Sequence, residues 1–280
     1  MRLITLSTYF SYFTPGWEAG AEYMEWEGPA GFRYDAVSLG HPTVHNPWME
    51  RESWPHIIAY LKEHRVPVAS IHSPIEAHFD LTSPDRETRT MTIQSHLTAA
   101  QFAHLLVDEG LVPGGRLVQV VHLTEVRETD LSDLSLRIRV GVESWRELNE
   151  KVRESFPGVV LAMENLPGNQ PRERLVEKVV EELGDEAVLC LDTGHLRLDP
   201  RREEKLIAYA PRAVACHLQD NGGESDSHHL ALVSNPWIER CLSALKKNNH
   251  FFLIIQEHRG DRASVEESLR EAYRVKQFMM

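Results

Sequence analysis

Six side chains of the kinds that hold divalent metals close six strand-like runs in succession. His72 ends VPVASIH, His122 ends RLVQVVH, Glu164 ends GVVLAME, Asp192 ends AVLCLD, His217 ends AVACH and Glu257 ends FFLIIQE. Imidazole and carboxylate without an organised thiolate set suit Zn, Mn, Fe, Co or Mg rather than a copper–thiolate or iron–sulfur centre. One histidine at a strand end is more often a structural hydrogen-bonding residue, and 15 His with 42 acidic residues guarantee some chance placements. Six in the same position of consecutive units are another matter, and they point to a metalloenzyme.

Two further clusters join them. In LDTGH, Gly194 permits a tight turn that sets His195 one step above Asp192 at the rim; the competing reading makes Asp192 a cap for the next helix. In the loop HLQDNGGESDSHHL, Asp226 and His228 stand two apart, and an extended segment would aim both the same way. A solvated polar loop is the plain alternative, and adjacent His229 leaves the assignment open by one position. Glu125, close behind His122, is a candidate acceptor that orients its ring. Arg259 and Asn165 are candidates for substrate contact, against a surface ion pair for the first and a turn-forming role, shared with Gly168, for the second. His41, His45, His56, His64 and His78 are set aside as non-ligands.

The elements that must position these groups follow from periodicity. Each run is β-branched or otherwise apolar, as a strand covered on both faces should be, and the gaps between runs are long enough for helices. This pattern predicts a (β/α)8 TIM barrel, in which all strand C-termini open on one face and active sites lie there. Strands are expected at residues 3–6 and 34–38, and helices at 48–64, 84–110, 142–156, 171–183, 202–209, 237–247 and 263–278. The helix at 84–110 is expected to start with Ser83 as N-cap and Pro84 in the first helical position. A barrel takes roughly 250 residues, so 1–280 reads as one domain.

Composition narrows the class. With 42% hydrophobic and 26% charged residues the chain is ordinary for a globular protein. Three cysteines without a CxxC spacing suggest a reducing compartment, hence the cytoplasm. Thr5, Ser7 and Thr8 interrupt the N-terminal apolar run, which reads as a strand rather than a signal peptide, and no segment approaches membrane-span length. A net charge of −12 argues against a general nucleic-acid binder. The aromatic stretch STYFSYFTPGWEAGAEYMEWEG carries Glu18, Glu22, Glu25 and Glu27 with no Lys or Arg. Stacking aromatics without basic residues suit a sugar better than a phosphate backbone.

The motifs SIHSP with LTSPD, VVH, AMENLPG, LCLDTGH, CHLQDN with DSHH, and QEH run in order over nearly the whole chain. Together they resemble the xylose isomerase-like TIM barrels, the superfamily of sugar phosphate isomerases and epimerases and of endonuclease IV (AP endonuclease family 2). In the isomerase branch, the resemblance implies that Glu164, Asp192, His217 and Glu257 hold one divalent ion, often Mn. Glu164 and Glu257 would be the catalytic carboxylates that move a proton through an enediolate. In the endonuclease branch it implies that His72, His122, Glu164, Asp192, His195, His217, Asp226, His228 and Glu257 hold three zinc ions. The expectation is therefore one to three Zn or Mn ions per chain and a metal-dependent sugar or sugar-phosphate isomerase/epimerase. A trinuclear zinc phosphoester hydrolase, acting on abasic-site DNA or another phosphodiester, is the alternative, and a non-catalytic sugar- or metal-binding barrel the second alternative. Glu76, after SIHSP, would meet a polyanion unfavourably, so a small sugar or sugar phosphate is the expected partner rather than nucleic acid or membrane. A homodimer would be unsurprising in the superfamily.

Overall fold

Eight short strands pair in sequence order: β1 (Leu3–Ser7), β2 (Ala36–Leu39), β3 (Val68–His72), β4 (Leu117–Val121), β5 (Val159–Glu164), β6 (Leu189–Asp192), β7 (Ala213–Leu218) and β8 (Leu253–Gln256). Every neighbouring pair is parallel, and β8 pairs with β1 to close the barrel. This computed structural model describes residues 2–8, 16–42, 47–76, 78–125, 133–257 and 265–280. Around the barrel lie α1 (Gly16–Glu25), α2 (Trp54–Glu63), α3 (Arg86–Asp108), α4 (Leu134–Ser155), α5 (Pro171–Leu183), α6 (Thr193–Arg197), α7 (Arg202–Tyr209), α8 (Pro236–Lys246) and α9 (Val265–Met279). None of the described helices is long and apolar enough to cross a membrane.

Two cores hold these layers. A small one, of Leu3, Ala36, Ala69, Val118, Val120, Ala162, Cys190, Ala215, Leu253 and Ile255 with neighbours, fills the barrel. The larger one packs the helices on its outside and includes the fully buried Trp48, Trp145 and Phe102. Side chains alternate between the two faces along a strand. On five strands a donor therefore follows an inner-core residue by two positions: Val120 then His122, Ala162 then Glu164, Cys190 then Asp192, Ala215 then His217, Ile255 then Glu257. The alternation that fills the barrel with small apolar groups also turns these polar groups inward at its C-terminal rim.

Several boundaries differ from the sequence expectation for identifiable reasons. Asp85, not Ser83, caps α3, because its carboxylate accepts from the backbone N–H groups of Glu87 and Thr88. Ser83 Oγ instead accepts from Asp85 N at 3.2 Å, so Pro84 precedes the cap rather than opening the helix. α4 begins at Leu134, eight residues before the expected start at 142. The aromatic stretch after β1 contributes α1, whose Trp17 is buried edge-on against His56 and Tyr60. Tyr23 and Trp26 pack on each other. These rings serve helix packing rather than a sugar platform; residues 9–15 of the stretch lie outside the described residues.

Candidate metal centre

At the C-terminal rim the predicted donors converge. His72 Nε2 and His122 Nε2 lie 3.2 and 2.9 Å from one Glu164 oxygen, while His217 Nδ1 lies 3.0 Å from the other. His195 Nε2 and His228 Nε2 each stand 3.3 Å from a different oxygen of Asp226. Glu257 is 3.7 Å from both His217 and His228. Four donor groups result, each with ligand atoms within 4.8 Å of one another: His72–His122–Glu164, Glu164–Asp192–His195, Asp192–His217–Glu257 and His195–Asp226–His228. Glu164, Asp192 and His195 each belong to two groups, so the nine residues form a continuous chain of donors that can hold a metal. They are imidazoles and carboxylates held close without intervening apolar atoms, which suits a borderline or hard divalent ion.

All of the donors but Asp192 line a cavity of about 230 Å³ with Gly40, His41, Ile75, Glu125 and Arg172. That is room for several waters or one small solute. His41, set aside in the sequence, stands at the wall with its ring 6.3 Å from that of His72. Arg259 falls outside the described residues, as does His45. Asn165 is placed differently from the expected substrate contact. Its side chain accepts from Asp192 N at 2.8 Å and donates to Asp192 O at 3.1 Å, tying β5 to β6. Its backbone carbonyl lies 2.8 Å from His195 Nδ1. Both amide atoms are thus spent on positioning the neighbouring donors.

The loop after β7 places His228 and His229 differently. His229 exchanges backbone hydrogen bonds with Asp220, at 2.6 and 2.9 Å, whereas His228 lines the cavity. The segment is not extended as expected: His228 has φ +49°, a conformation that costs a non-glycine residue energy and tends to occur at functional sites.

A surrounding layer holds the donors in place. Gln219, buried beneath the rim, donates its amide to both oxygens of Asp192 at 3.1 Å and to Asp226 at 3.3 Å. Gly194 is needed for that contact rather than for a turn, since a Cβ there would lie 2.3 Å from Gln219 Oε1. It sits inside α6, where Asp192 also caps the helix by accepting from His195 N at 2.6 Å; the cap and the inward carboxylate are one side chain. Glu125 contacts His122 Nδ1 and accepts from Arg172 at 2.8 Å, the orienting role the sequence suggested. Sequence reasoning missed Gln219 and Arg172. The only signal for either is its place just past a strand, Gln219 two residues beyond His217 and Arg172 at the start of the helix after AMENLPG.

Charge is tightly coupled across the site. Burial alone would lower the pKa of His122, but Glu125 and Glu164 outweigh it and push it up to about 9. Against the same burial, Asp192, Asp226 and Glu164 push His195 up to about 10. Burial would raise Glu164, yet His217 and His122 hold it well below the usual carboxylate range. The two raised imidazoles remain protonated at neutral pH in the metal-free protein. Their folded pKa values lie above the ordinary 6.5, so their stabilisation is fully present below pH 6.5 and is lost as pH rises through about 9 to 10. A bound ion must displace those protons, so metal affinity is expected to rise over the same interval. Calorimetric titration with Zn at pH 7 in buffers of different ionisation enthalpy should show proton release; identical heats in every buffer would rule this out.

The sequence matches the family profile of the xylose isomerase-like TIM barrel over residues 18–275. No curated protein sequence matches the chain. Among solved structures, a D-tagatose 3-epimerase-like protein superposes with a TM-score of 0.71 at 17% identity, covering 100% of both chains. An IolI protein with a bound zinc atom gives 0.69 at 16% identity, covering 100% of this chain and 98% of the other. An AP endonuclease of family 2 from Brucella melitensis gives 0.60 at 15% identity, covering 96% and 97%. At these identities the likeness is one of fold, and the reaction has to be argued from the site.

Proposed function

Given that this chain belongs to the xylose isomerase-like TIM barrel family, we propose that it is a divalent-metal enzyme that holds more than one ion and hydrolyses a phosphoester of a small molecule. The observation that carries this reading is the division of the donors. Asp192, His217 and Glu257, with Glu164 beside them, would suffice for one ion, yet His72–His122 and Asp226–His228 extend the same chain on either side through Glu164 and His195. A single ion held by those four would leave the five further donors outside its coordination.

Bound ions would supply an acidified water and offset the charge that develops on a phosphoryl group. The chain's own residues orient and exclude. Glu164, Asp192, Asp226 and Glu257 bring four negative charges, so three divalent ions with every imidazole neutral bring the donor set to about +2, which matches an anionic substrate. Glu125 and Asn165 fix the rings of His122 and His195, which sets the nitrogen each presents to the cavity. The cavity's size and the single guanidinium among its described lining residues favour a compact phosphorylated molecule over a long polyanion.

A second reading, sugar isomerisation or epimerisation, is favoured by one feature. Glu164 and Glu257 both approach His217, at 3.0 and 3.7 Å, as two carboxylates on either side of one ion would, and such a pair can take and return a proton at a carbon beside a carbonyl. The D-tagatose 3-epimerase-like neighbour is consistent with that chemistry. Elemental analysis of protein purified without chelator separates the two. Two to three tightly held ions per chain, with turnover of small phosphomonoesters or phosphodiesters, supports hydrolysis. A single exchangeable ion, with turnover of ketoses and none of phosphoesters, overturns it in favour of the isomerase.

A further inference from the structure

Arg172 is the one Arg or Lys among the described residues lining the cavity. Its chain position is set by the helix that follows β5: Pro171 opens α5 and Arg172 comes next, at the barrel's C-terminal face. Two of its three nitrogens are engaged. Nε donates to Gln170 Oε1 at 2.6 Å and Nη1 to Glu125 Oε2 at 2.8 Å. Nη2 makes no hydrogen bond to any described residue, and only 13% of the side chain is exposed. Were the residue only a tether for Glu125, a charge on one oxygen would be enough, and Lys would serve. A guanidinium that lines the cavity with Nη2 unengaged by the described residues has a charged donor to spare for an oxyanion. The position also suits a substrate that reaches the donors, because the other Glu125 oxygen contacts His122. One carboxylate separates the guanidinium from the His72–His122–Glu164 group.

We propose that the Nη2 group of Arg172 is the anion subsite of this cavity, donating to a non-bridging phosphoryl oxygen while the donor cluster faces the scissile bond. The inference deepens the phosphoester reading and rests on it. The same donor would accept a carboxylate, and the test distinguishes the two.

The probe is inorganic phosphate, titrated into zinc-loaded protein and followed by calorimetry or phosphorus NMR, with acetate as the carboxylate comparison. Wild type is expected to bind phosphate more tightly than acetate. Arg172→Met should weaken phosphate by at least about tenfold, the loss of one charge-assisted hydrogen bond, with the zinc content unchanged. Arg172→Lys, which keeps the charge but cannot reach Gln170, Glu125 and the anion with one planar group, should fall between them and guards against a variant that merely fails to fold. Equal phosphate affinity in wild type and Arg172→Met at equal zinc content overturns the subsite. Loss of zinc in both variants overturns it too, since Arg172 would then act through Glu125 on His122 as a positioning residue. Tighter binding of acetate than of phosphate overturns the phosphoryl assignment while leaving an anion site. Failure of loaded wild type to bind phosphate at all overturns the phosphoester reading itself, an outcome distinct from failure of Arg172 alone.

Discussion

Glu164→Gln is expected to cost the protein at least one bound ion and its activity together. The carboxylate is 2% exposed and faces four imidazoles, with His72 and His122 on one oxygen and His217 and, at 3.5 Å, His195 on the other. Glutamine keeps the shape, removes the charge and turns one acceptor into an N–H donor. That donor must point either at the His72–His122 pair or at the His217–His195 pair. Replacing residues that merely orient a ligand commonly costs about 10–100-fold in affinity or activity, so loss of a donor shared by two groups should exceed about 100-fold. Elemental analysis beside wild type, with circular dichroism to verify folding, reads the outcome. A full metal complement and wild-type turnover in the variant would remove Glu164 from the centre.

The second large effect is on stability, away from the metal. Lys205 on α7 is 4% exposed and sits among three carboxylates: Asp199 at 2.6 Å, Glu173 at 2.8 Å and Glu177 at 3.5 Å. Burial works to lower its pKa, but Glu173 and Asp199 prevail and hold it up. The other Glu173 oxygen accepts from Leu166 N at 2.7 Å, and Gly168 N donates to His195 O at 3.1 Å. Gly168 also packs so closely on Asp199 that a Cβ would lie 2.4 Å from the Asp199 Cβ, a contact of closeness rather than of turning. The cluster therefore clamps the loop after Glu164 to the segment carrying His195. Lys205→Met leaves buried carboxylates unpaired and should lower unfolding stability by about 3–5 kcal/mol.

The deficit has a pH signature. Burial raises Glu173 to about 7 even with Lys205 present. A folded pKa above the unfolded value means the protonated form is the one folding favours, so its contribution is present at acid pH and is lost as pH rises through about 7. Removing the cation strengthens that preference. The variant should thus be closest to wild type near pH 5 and furthest from it near pH 8, as read by urea unfolding at both. A pH-independent deficit would point to lost packing by the lysine stem, and Lys205→Met with Glu173→Gln should recover part of the loss in the ionic case only.

What the sequence determined by itself is whatever local periodicity carries. A strand turns alternate residues to one face, so Val120-x-His122, Ala162-x-Glu164, Cys190-x-Asp192, Ala215-x-His217 and Ile255-x-Glu257 announce both a covered parallel sheet and a polar group at its end. The recurrence of that unit with helix-length gaps announced the (β/α)8 barrel. Helices whose amphipathic stripe and first-turn proline agree, such as α5, were legible to the residue, whereas α3 lost its expected cap because Asp85 accepts two backbone N–H groups where the Ser83 hydroxyl accepts one.

Tertiary structure decided everything that depends on which distant residues meet. The grouping of nine donors spread from 72 to 257 follows from barrel closure, which no spacing encodes. His228 lines the cavity while its neighbour His229 pairs through its backbone with Asp220, nine residues away. The roles of Gly194 and Gly168 come from Gln219 and Asp199 pressing against them, and those of Asn165 and Arg172 from partners on other βα units. Periodicity reports which way a side chain points, and only the closed barrel brings in the partner it points at.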